Sequence, residues 1–473
     1  MRSVPNDHRI LLWFWSALCV VMPACCYVTS DDFEAISEYG FDPVDHEQDI
    51  NTRPWSMAYF VPDGAEGGHV YVGTGNNLTG IMKANLGLGG PAESAYRPPE
   101  IRRYRPDLGP KIWERVFDYR DVETGPPWQT SGVRSLAVYR AQSDEVTYLY
   151  AGTYGREPAL WRSATGAPGS WERVWTHPVQ ASLRGMAVHN DLLYFAVTYE
   201  GPGDSPQGEL YVTDGETFRL VDDDGFGNPF NRSLFSLASF NGWLYAGTYN
   251  VRQGYEVWKL EGPDGQTDPI RVIAAGGSSR ANSAASQMQA FKGRLYVASL
   301  IWGGFNTLHP FKGGVIRGAD MVRIDADDNM ETLVGPRSVA RERSGFGEDA
   351  NVYFWSLAAH DGKLYCGTMT VANGIPYALS AGILFPGIGL GDAFDRVFHP
   401  KYLPDLYDLL TANGADLFCS EDGVHWQAVF TNGLGNADNY GLRNLLSAEG
   451  SLFVGFCNLH DGLVIHRQID PLP

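Results

Sequence analysis

One octet recurs along the chain, and its spacing limits what the chain can fold into. The segments "HVYVGTGN" (69–76), "YLYAGTYG" (148–155), "WLYAGTYN" (243–250) and "KLYCGTMT" (363–370) all read as a strand that ends near a glycine. With looser copies included, the aromatic residue of the octet occurs at Tyr71, Tyr150, Tyr194, Tyr245, Tyr296, Tyr365 and Phe453. Recurrence of one strand at such intervals is typical of an array of small sheets.

Each copy lies inside a longer unit of four short strands, which is clearest around Tyr245. There "SLFSLASF" runs through a turn into "WLYAGTYN", and "YEVWKL" and "IRVI" follow. Alternating apolar residues between tight turns predict an antiparallel four-stranded sheet. One such sheet cannot bury both of its faces, whereas seven sheets stacked around an axis can. The sequence therefore predicts an all-β fold, a seven-bladed β-propeller with four-stranded antiparallel blades.

The two ends of the chain complement each other. The seventh unit lacks a fourth strand, and the N-terminal "FEAISEYGFDP" (33–43) matches the fourth strand and loop "FRLVDDDGFGNP" (218–229). We therefore expect the N-terminal strand to complete the last blade and to close the ring, in one domain over 30–473. Long insertions follow second strands at 77–100, 300–319 and 371–414, and we expect all three on one face.

The first 25 residues read as a signal peptide. Arg2 and Arg9 precede an apolar run over 10–22, which is too short to span a bilayer. The protein is therefore predicted to be exported, to the periplasm, the cell surface or the medium, without a membrane span. Because "MPAC" resembles a lipobox, plain cleavage and a lipid anchor at Cys25 both stay open.

Charge and cysteine content narrow the function classes further. A net charge of −19 argues against a nucleic-acid partner, which needs a basic surface. Beyond the signal peptide the cysteines are Cys366, Cys419 and Cys457, too few for a disulfide framework. Cys366 and Cys419 fall on neighbouring predicted strands, so a bridge between them and buried free thiols are both open interpretations.

The segment "SEDGVHW" (420–426) resembles a short Asp-box, the structural element of sialidase-like propellers of the BNR type. The resemblance implies a turn at Asp422 and Gly423, with Trp426 packed between blades. In that family the box is structural, so the resemblance implies no catalytic role for these residues.

Candidate ligand-binding residues come from aligning the first strands on their shared Ser-Leu-Ala core. The residue before this core is Trp55, Arg134, Arg184, Phe235, Ser286, Trp355 or Arg443. Guanidinium groups offer forked donors to carboxylate, sulfate or phosphate, and aromatic faces suit sugar rings. Sialidases hold a substrate carboxylate with arginines of first strands, and the resemblance implies the same use here. The alternative is structural: the arginines pair with acidic residues of adjacent blades and fill the channel.

A second candidate set follows the second strands, namely Tyr154, Tyr199, Tyr249, Asn250, Asn458 and His460. Such side chains can hydrogen-bond a polyol, but they also suit turns. Tyr199 and Glu200 provide the Tyr–Glu pair that the sialidase resemblance implies for catalysis, although no "FRIP"-type run is present. The histidines are scattered singly, so no metal site and no cofactor is predicted.

Three function hypotheses result. The first is a binding module for a glycan or another anionic, carboxylate-bearing ligand at the central channel. The second is a glycoside hydrolase or lyase that uses the same face. The third is a protein-interaction scaffold that uses the insertion at 371–414.

Overall fold

The described residues fold almost entirely as short antiparallel strands. The computed structural model describes residues 28–41, 51–76, 96–123, 125, 128–199, 206–262, 268–301, 317–371 and 414–469. They contain 28 strands and four short 3-10 helices, at Ser30–Asp32, Tyr119–Asp121, Ser344–Gly347 and Gly433–Gly435. The all-β prediction is confirmed. The signal peptide at 1–25, Cys25, Glu200 and most of the insertions at 77–100, 300–319 and 371–414 lie outside the described residues.

Antiparallel pairing divides the strands into seven groups of four. In the first six groups the four strands follow one another along the chain. Group 1 is β2 (Arg53–Phe60), β3 (His69–Gly75), β4 (Glu100–Tyr104) and β5 (Trp113–Asp118). Group 2 is β6 (Thr130–Arg140), β7 (Thr147–Gly155), β8 (Ala159–Ser163) and β9 (Glu172–Thr176). Group 3 is β10 (Ala181–His189), β11 (Leu192–Thr198), β12 (Glu209–Thr213) and β13 (Phe218–Asp222). Group 4 is β14 (Ser233–Phe240), β15 (Trp243–Tyr249), β16 (Val257–Leu260) and β17 (Ile270–Ile273).

The last group takes its fourth strand from the other end of the chain. Group 5 is β18 (Ala284–Phe291), β19 (Arg294–Leu300), β20 (Met321–Ile324) and β21 (Met330–Val334). Group 6 is β22 (Tyr353–His360), β23 (Lys363–Met369), β24 (Leu417–Ser420) and β25 (Gln427–Phe430). Group 7 is β26 (Asn439–Ala448), β27 (Ser451–Asn458) and β28 (Val464–Gln468), and β1 (Phe33–Ala35) pairs with β28. The N-terminal segment thus completes group 7, as its sequence predicts.

Successive groups are joined at one recurring point, where a second strand ends beside the start of the next first strand. The amide of Asn250 donates to the Ser283 carbonyl at 2.7 Å, and the amide of Thr370 donates to the Tyr440 carbonyl at 2.9 Å. First strands of successive groups also pack against one another, and β26 of group 7 packs against β2 of group 1. The amide of Asn458 donates to the Thr52 carbonyl at 3.1 Å between these two groups. Groups 7 and 1 are therefore in contact, as successive groups are.

Side-chain hydrogen bonds from six of the seven first strands to the next first strand explain the glycine of the octet. The donor and acceptor pairs are Ser56 to Val133, Ser135 to Leu183, Ser236 to Ala285, Ser286 to Phe354, Ser356 to Leu442 and Asn444 to Pro54, always onto a backbone carbonyl. A Cβ on Gly73 would lie 2.4 Å from Ser56 Oγ, and one on Gly367 would lie 2.5 Å from Ser356 Oγ. The glycine is required because its missing side chain leaves room for the donor.

The threonine and the tyrosine of the octet each hold another element. Thr74 Oγ1 accepts from the amide of Glu100, and Thr368 Oγ1 accepts from that of Asp416, both at 2.9 Å, at the start of a third strand. Tyr296 reaches the hairpin turn of group 6, where a Cβ on Gly423 would lie 1.8 Å from the tyrosine hydroxyl. The octet recurs because three of its residues fix three separate contacts.

The segment 420–426 forms a tight hairpin turn around Asp422. Asp422 Oδ1 accepts from the amides of Val424 and His425 at 2.7 and 2.8 Å. Trp426 is buried in a cluster with Tyr296 of group 5 and Phe354 of group 6. The tryptophan therefore packs between two neighbouring groups.

The cysteines correct one expectation. Cys366 lies opposite Phe418 in the pairing of β23 with β24, so Cys419 is offset by one residue. Because side chains alternate between the faces of a sheet, the two thiols point to opposite sides and cannot bond to each other. Cys366 and Cys457 are free and buried, whereas Cys419 is disulfide-bonded. The bridge between Cys366 and Cys419 is wrong, and the free-thiol interpretation is wrong for Cys419.

Gly73→Ala should destabilise the protein by about 1–3 kcal/mol, because its Cβ would overlap Ser56 and the β-branched Val133. Gly67→Ala is the matched control, since a Cβ there meets nothing within 4 Å. Urea unfolding of both variants checks the expectation. Equal midpoints for the two variants would contradict the role given to the octet glycine.

Candidate functional site

Every first strand contains a β-bulge, and the bulges coincide with the candidate positions that precede the Ser-Leu-Ala core. The pairing with the second strand skips Trp55, Arg134, Phe235, Ser286, Trp355 and Arg443, and in group 3 it skips Arg184 together with Gly185. A bulge re-aims the side chain of its extra residue. The sequence alignment thus selected seven residues that share one backbone irregularity.

Several of these side chains meet across the space that the first strands surround. Arg184 of group 3 donates to the Tyr353 hydroxyl of group 6 at 2.6 Å, although two groups separate them along the chain. Its guanidinium carbon also lies 3.3 Å from the ring centroid of Phe235. Arg443 lies 5.4 Å from the ring centroid of Trp355. We call Arg53, Arg184, Phe235, Tyr353, Trp355, Tyr440 and Arg443 the central cluster.

Arg53 is a member of this cluster that the sequence alignment missed. It is 4% exposed, and its Nε donates to the Tyr440 hydroxyl at 3.1 Å while Nη1 donates to Thr52 Oγ1 at 3.2 Å. Both partners are neutral hydroxyl groups. Within the part of the chain that the structure describes, no carboxylate contacts Arg53. Arg53 lies two residues before the bulge residue Trp55, and Tyr353 lies two residues before the bulge residue Trp355. This shared spacing could have identified Arg53 and Tyr353 as candidate residues from the sequence.

The arginines of the cluster lower the pKa of titratable groups beside them, against the effect of burial. Burial raises the pKa of the Cys457 thiol to about 12, while Arg53 and Arg443 act in the opposite direction. Burial likewise raises the pKa of the Tyr440 hydroxyl, against the influence of Arg53. Two cations therefore lie near a buried thiol, and one of them also lies near a phenol; both groups stay neutral at physiological pH.

Of the other aromatic candidates, Tyr249 contacts the central cluster, whereas Trp55 and Tyr154 pack against each other beside it. Tyr249 stacks on Phe235 with ring centroids 5.9 Å apart. Trp55, which is 1% exposed, packs edge-on against Tyr154 and lies 4.6 Å from the guanidinium carbon of Arg134. Arg134 and Trp55 thus form a second pair of a cation and an indole beside the cluster.

The asparagine candidates have structural partners. Asn250 donates to Asn231 Oδ1 at 3.0 Å and accepts from the amides of Arg252 and Gln253. Asn458 repeats the arrangement, donating to Asn439 and accepting from the amides of residues 460 and 461. His460 itself is exposed. These contacts fit the turn-forming role that the sequence left open.

Tyr199 forms a different cluster, in group 3. Its hydroxyl donates to Glu209 Oε1 at 2.6 Å, and His177 Nε2 lies 3.3 Å from Glu209 Oε2. Burial lowers the pKa of His177, but its hydrogen bond to Glu209, its hydrogen bond with the Val179 backbone and the charge of Glu209 together more than offset this effect, so the pKa is raised overall. The carboxylate that meets Tyr199 is therefore Glu209, which sequence reasoning did not single out.

Acidic residues at the start of third strands are a further feature that sequence reasoning missed. Glu100, Glu256, Asp320 and Asp416 are all buried, and each accepts from the side-chain amide of an asparagine that precedes the first strand of its group. The asparagine follows a loop with left-handed residues, as in "GFGNPFN" (225–231) and "GFGEDAN" (345–351). This recurring Gly-x-Gly-x-x-x-Asn pattern was the available signal.

The described residues hold neither a cluster of metal ligands nor a helix of membrane-spanning length. Those residues contain no group of three or more His, Cys, Asp or Glu side chains placed to hold a metal ion. None of their helices is long and apolar enough to cross a membrane.

Comparison with known proteins adds no assignment. No protein-family model matches the chain, and no curated protein matches it. The functional argument therefore depends on the geometry described above.

Asp416→Asn should stabilise the protein above pH 7. Burial raises the pKa of Asp416 from 3.8 to about 7, so the folded state binds the proton more tightly than the unfolded state does. The cost of ionising Asp416 is absent near pH 4, develops as the pH rises to 7 and stays constant above it. We expect the variant to exceed the wild type by about 2–4 kcal/mol at pH 8 and to match it near pH 4.

Urea unfolding at both pH values measures this difference. Asp320→Asn is the matched control, because the Asp320 carboxylate is held by Arg317, Ser278 and Ser344 and its loss should destabilise the protein. A lower stability of Asp416→Asn at pH 8 would contradict the expectation.

Proposed function

We propose that the seven groups are the blades of a β-propeller and that, after export, its centre binds an anionic ligand. The ligand class is a glycan or another molecule that carries a carboxylate or sulfate. The recurring link between each second strand and the next first strand, including the one from Asn458 to Thr52, supports the closed ring. The signal-like segment at 1–25 supports export.

The observation that carries the proposal is the charge of Arg53. A buried guanidinium is costly unless a counter-charge and further hydrogen bonds compensate it. The described partners of Arg53 are only two hydroxyl groups, so the charge is left without a counter-ion there. A bound carboxylate or sulfate compensates this charge through the forked donors of the guanidinium.

The surroundings of Arg53 suit an anion that is attached to a ring. Arg443 adds a second positive charge near Cys457, and Trp355 and Tyr440 lie with ring centroids 6.2 Å apart. Arg184 and Tyr249 remain partly accessible, as does Tyr440. A sugar acid can thus place its anionic group on the arginines and its ring against aromatic faces.

A glycoside hydrolase is the second candidate, favoured by one observation. The contact of 2.6 Å between Tyr199 and Glu209 is a Tyr–Glu pair of the kind that the sialidase resemblance implies, with His177 as a third member. Turnover of a bound sugar acid that is lost in Tyr199→Phe, with binding retained, would identify this activity. The scaffold hypothesis stays a prediction, because the insertion at 371–414 lies mostly outside the described residues.

Arg53→Met should abolish anion binding without unfolding the protein. The variant keeps an apolar side chain of similar length, so it removes the uncompensated charge and should be at least as stable as the wild type without ligand. Titration calorimetry with sulfate, glucuronate and N-acetylneuraminate measures binding. We expect the affinity for the best of these probes to fall at least about tenfold.

Arg323→Met is the control for a lost arginine. Arg323 lies in β20 and is paired with Glu331 at 2.7 Å, away from the central cluster. It should bind the probe as the wild type does. Unchanged binding by Arg53→Met, or no binding of any probe by the wild type, would contradict the proposal.

A further inference from the structure

The acidic residues at the start of the third strands share one arrangement, so the surroundings of the acid can be compared between groups of the same chain. In groups 4, 5 and 6 an asparagine side chain donates to the acid, with Nδ2 to carboxylate distances of 2.8 Å (Asn231 to Glu256), 2.9 Å (Asn282 to Asp320) and 2.7 Å (Asn351 to Asp416). In group 1, Asn51 approaches Glu100 at 3.5 Å. Four groups therefore present a buried carboxylate in the same place.

In three of these groups an arginine neutralises the acid. Arg271 contacts Glu256 at 2.8 Å, and Arg317 contacts Asp320 Oδ1 at 2.6 Å. Glu100 is held by Arg102 at 2.7 Å, and Arg120 adds a second contact at 2.6 Å. A guanidinium group is thus the usual partner of this carboxylate.

Group 6 departs from this pattern. Asp416 is 6% exposed, and among the residues that the structure describes no arginine or lysine contacts it. Its charged neighbour is Glu348, which carries the same sign. Among the described residues, no cation of group 6 therefore takes the place of the arginine in the other three groups.

The asparagine of group 6 is also incomplete. Asn351 is 1% exposed, and its Oδ1 atom is buried without a hydrogen-bond donor. In groups 4 and 5 the matching oxygen accepts from Asn250 Nδ2 or from Ser299 Oγ, each at 3.0 Å, whereas in group 1 the oxygen of Asn51 is, like that of Asn351, buried without a donor. The Nδ2 atom of Asn351 donates to the Asp416 carboxylate. The unpartnered Oδ1 atom therefore belongs to the same amide group that contacts this carboxylate.

We propose that Asp416 and Asn351 form a binding site for a guanidinium group of a ligand. The carboxylate of Asp416 supplies the counter-charge, and Asn351 Oδ1 supplies a second acceptor for another N–H of the same group. A guanidinium fits better than a metal ion, because hard cations such as Ca²⁺ need six or more oxygen ligands. The site uses none of the residues of the central cluster and does not depend on the proposed anion site.

Titration calorimetry with agmatine at pH 8 tests the proposal on the full chain. The wild type should bind agmatine saturably, and Asp416→Asn should lower the affinity at least about tenfold, because the charge-assisted hydrogen bonds are lost. The asparagine variant is expected to be the more stable protein at this pH, so unfolding does not explain a loss of binding.

Two controls separate this site from others. Asp320→Asn removes a carboxylate that already has an arginine, and it should bind agmatine as the wild type does. Arg53→Met should also bind it normally, which distinguishes the outcome from that of the anion proposal. No saturable binding by the wild type, equal binding by Asp416→Asn, or displacement of agmatine by Ca²⁺ at equimolar concentration would overturn the assignment.

Discussion

A hydrogen bond from a side chain of one first strand to the backbone of the next, donated by six of the seven first strands, is the interaction on which the rest of the structure depends. It crosses between groups, and its acceptor is the carbonyl of the residue just before a bulge, as with Ser56 and Val133 or Ser356 and Leu442. Asn444 makes the same contact from group 7 to Pro54 of group 1. A contact of one kind therefore joins six of the seven neighbouring pairs of first strands, and the pair of β10 and β14 is the exception.

This contact links the octet of the second strands to the candidate site. The donor requires a glycine opposite it, which explains why the octet keeps its glycine. The acceptor fixes the backbone immediately before the bulge, and the bulge residues Arg184, Phe235, Trp355 and Arg443 belong to the central cluster. The contact between neighbouring first strands and the position of the bulge residue are thus set by adjacent atoms of the same backbone.

The sequence predicted the strand pattern well because the pattern is local. Periodicity and the recurring Gly-Thr pair identified the strands, and the match between residues 33–43 and 218–229 placed β1 beside β28. Arg53 and Asn351 could not be predicted as site residues from the sequence. Arg53 matters because no described carboxylate contacts it, and Asn351 because its Oδ1 atom has no donor, and residue spacing does not reveal missing contacts. The Cys366 and Cys419 pair failed for a related reason, since neighbouring strands do not define which face each thiol occupies.

The most direct measurement for the anion site is a crystal structure determined with selenate in the mother liquor, using the anomalous signal of selenium. The uncompensated charge of Arg53 predicts a selenium peak with its oxygens within hydrogen-bond distance of that guanidinium, on the side of Arg443 and Tyr440. A map in which Arg53 instead contacts a carboxylate of the chain, with no peak beside it, would contradict the central claim.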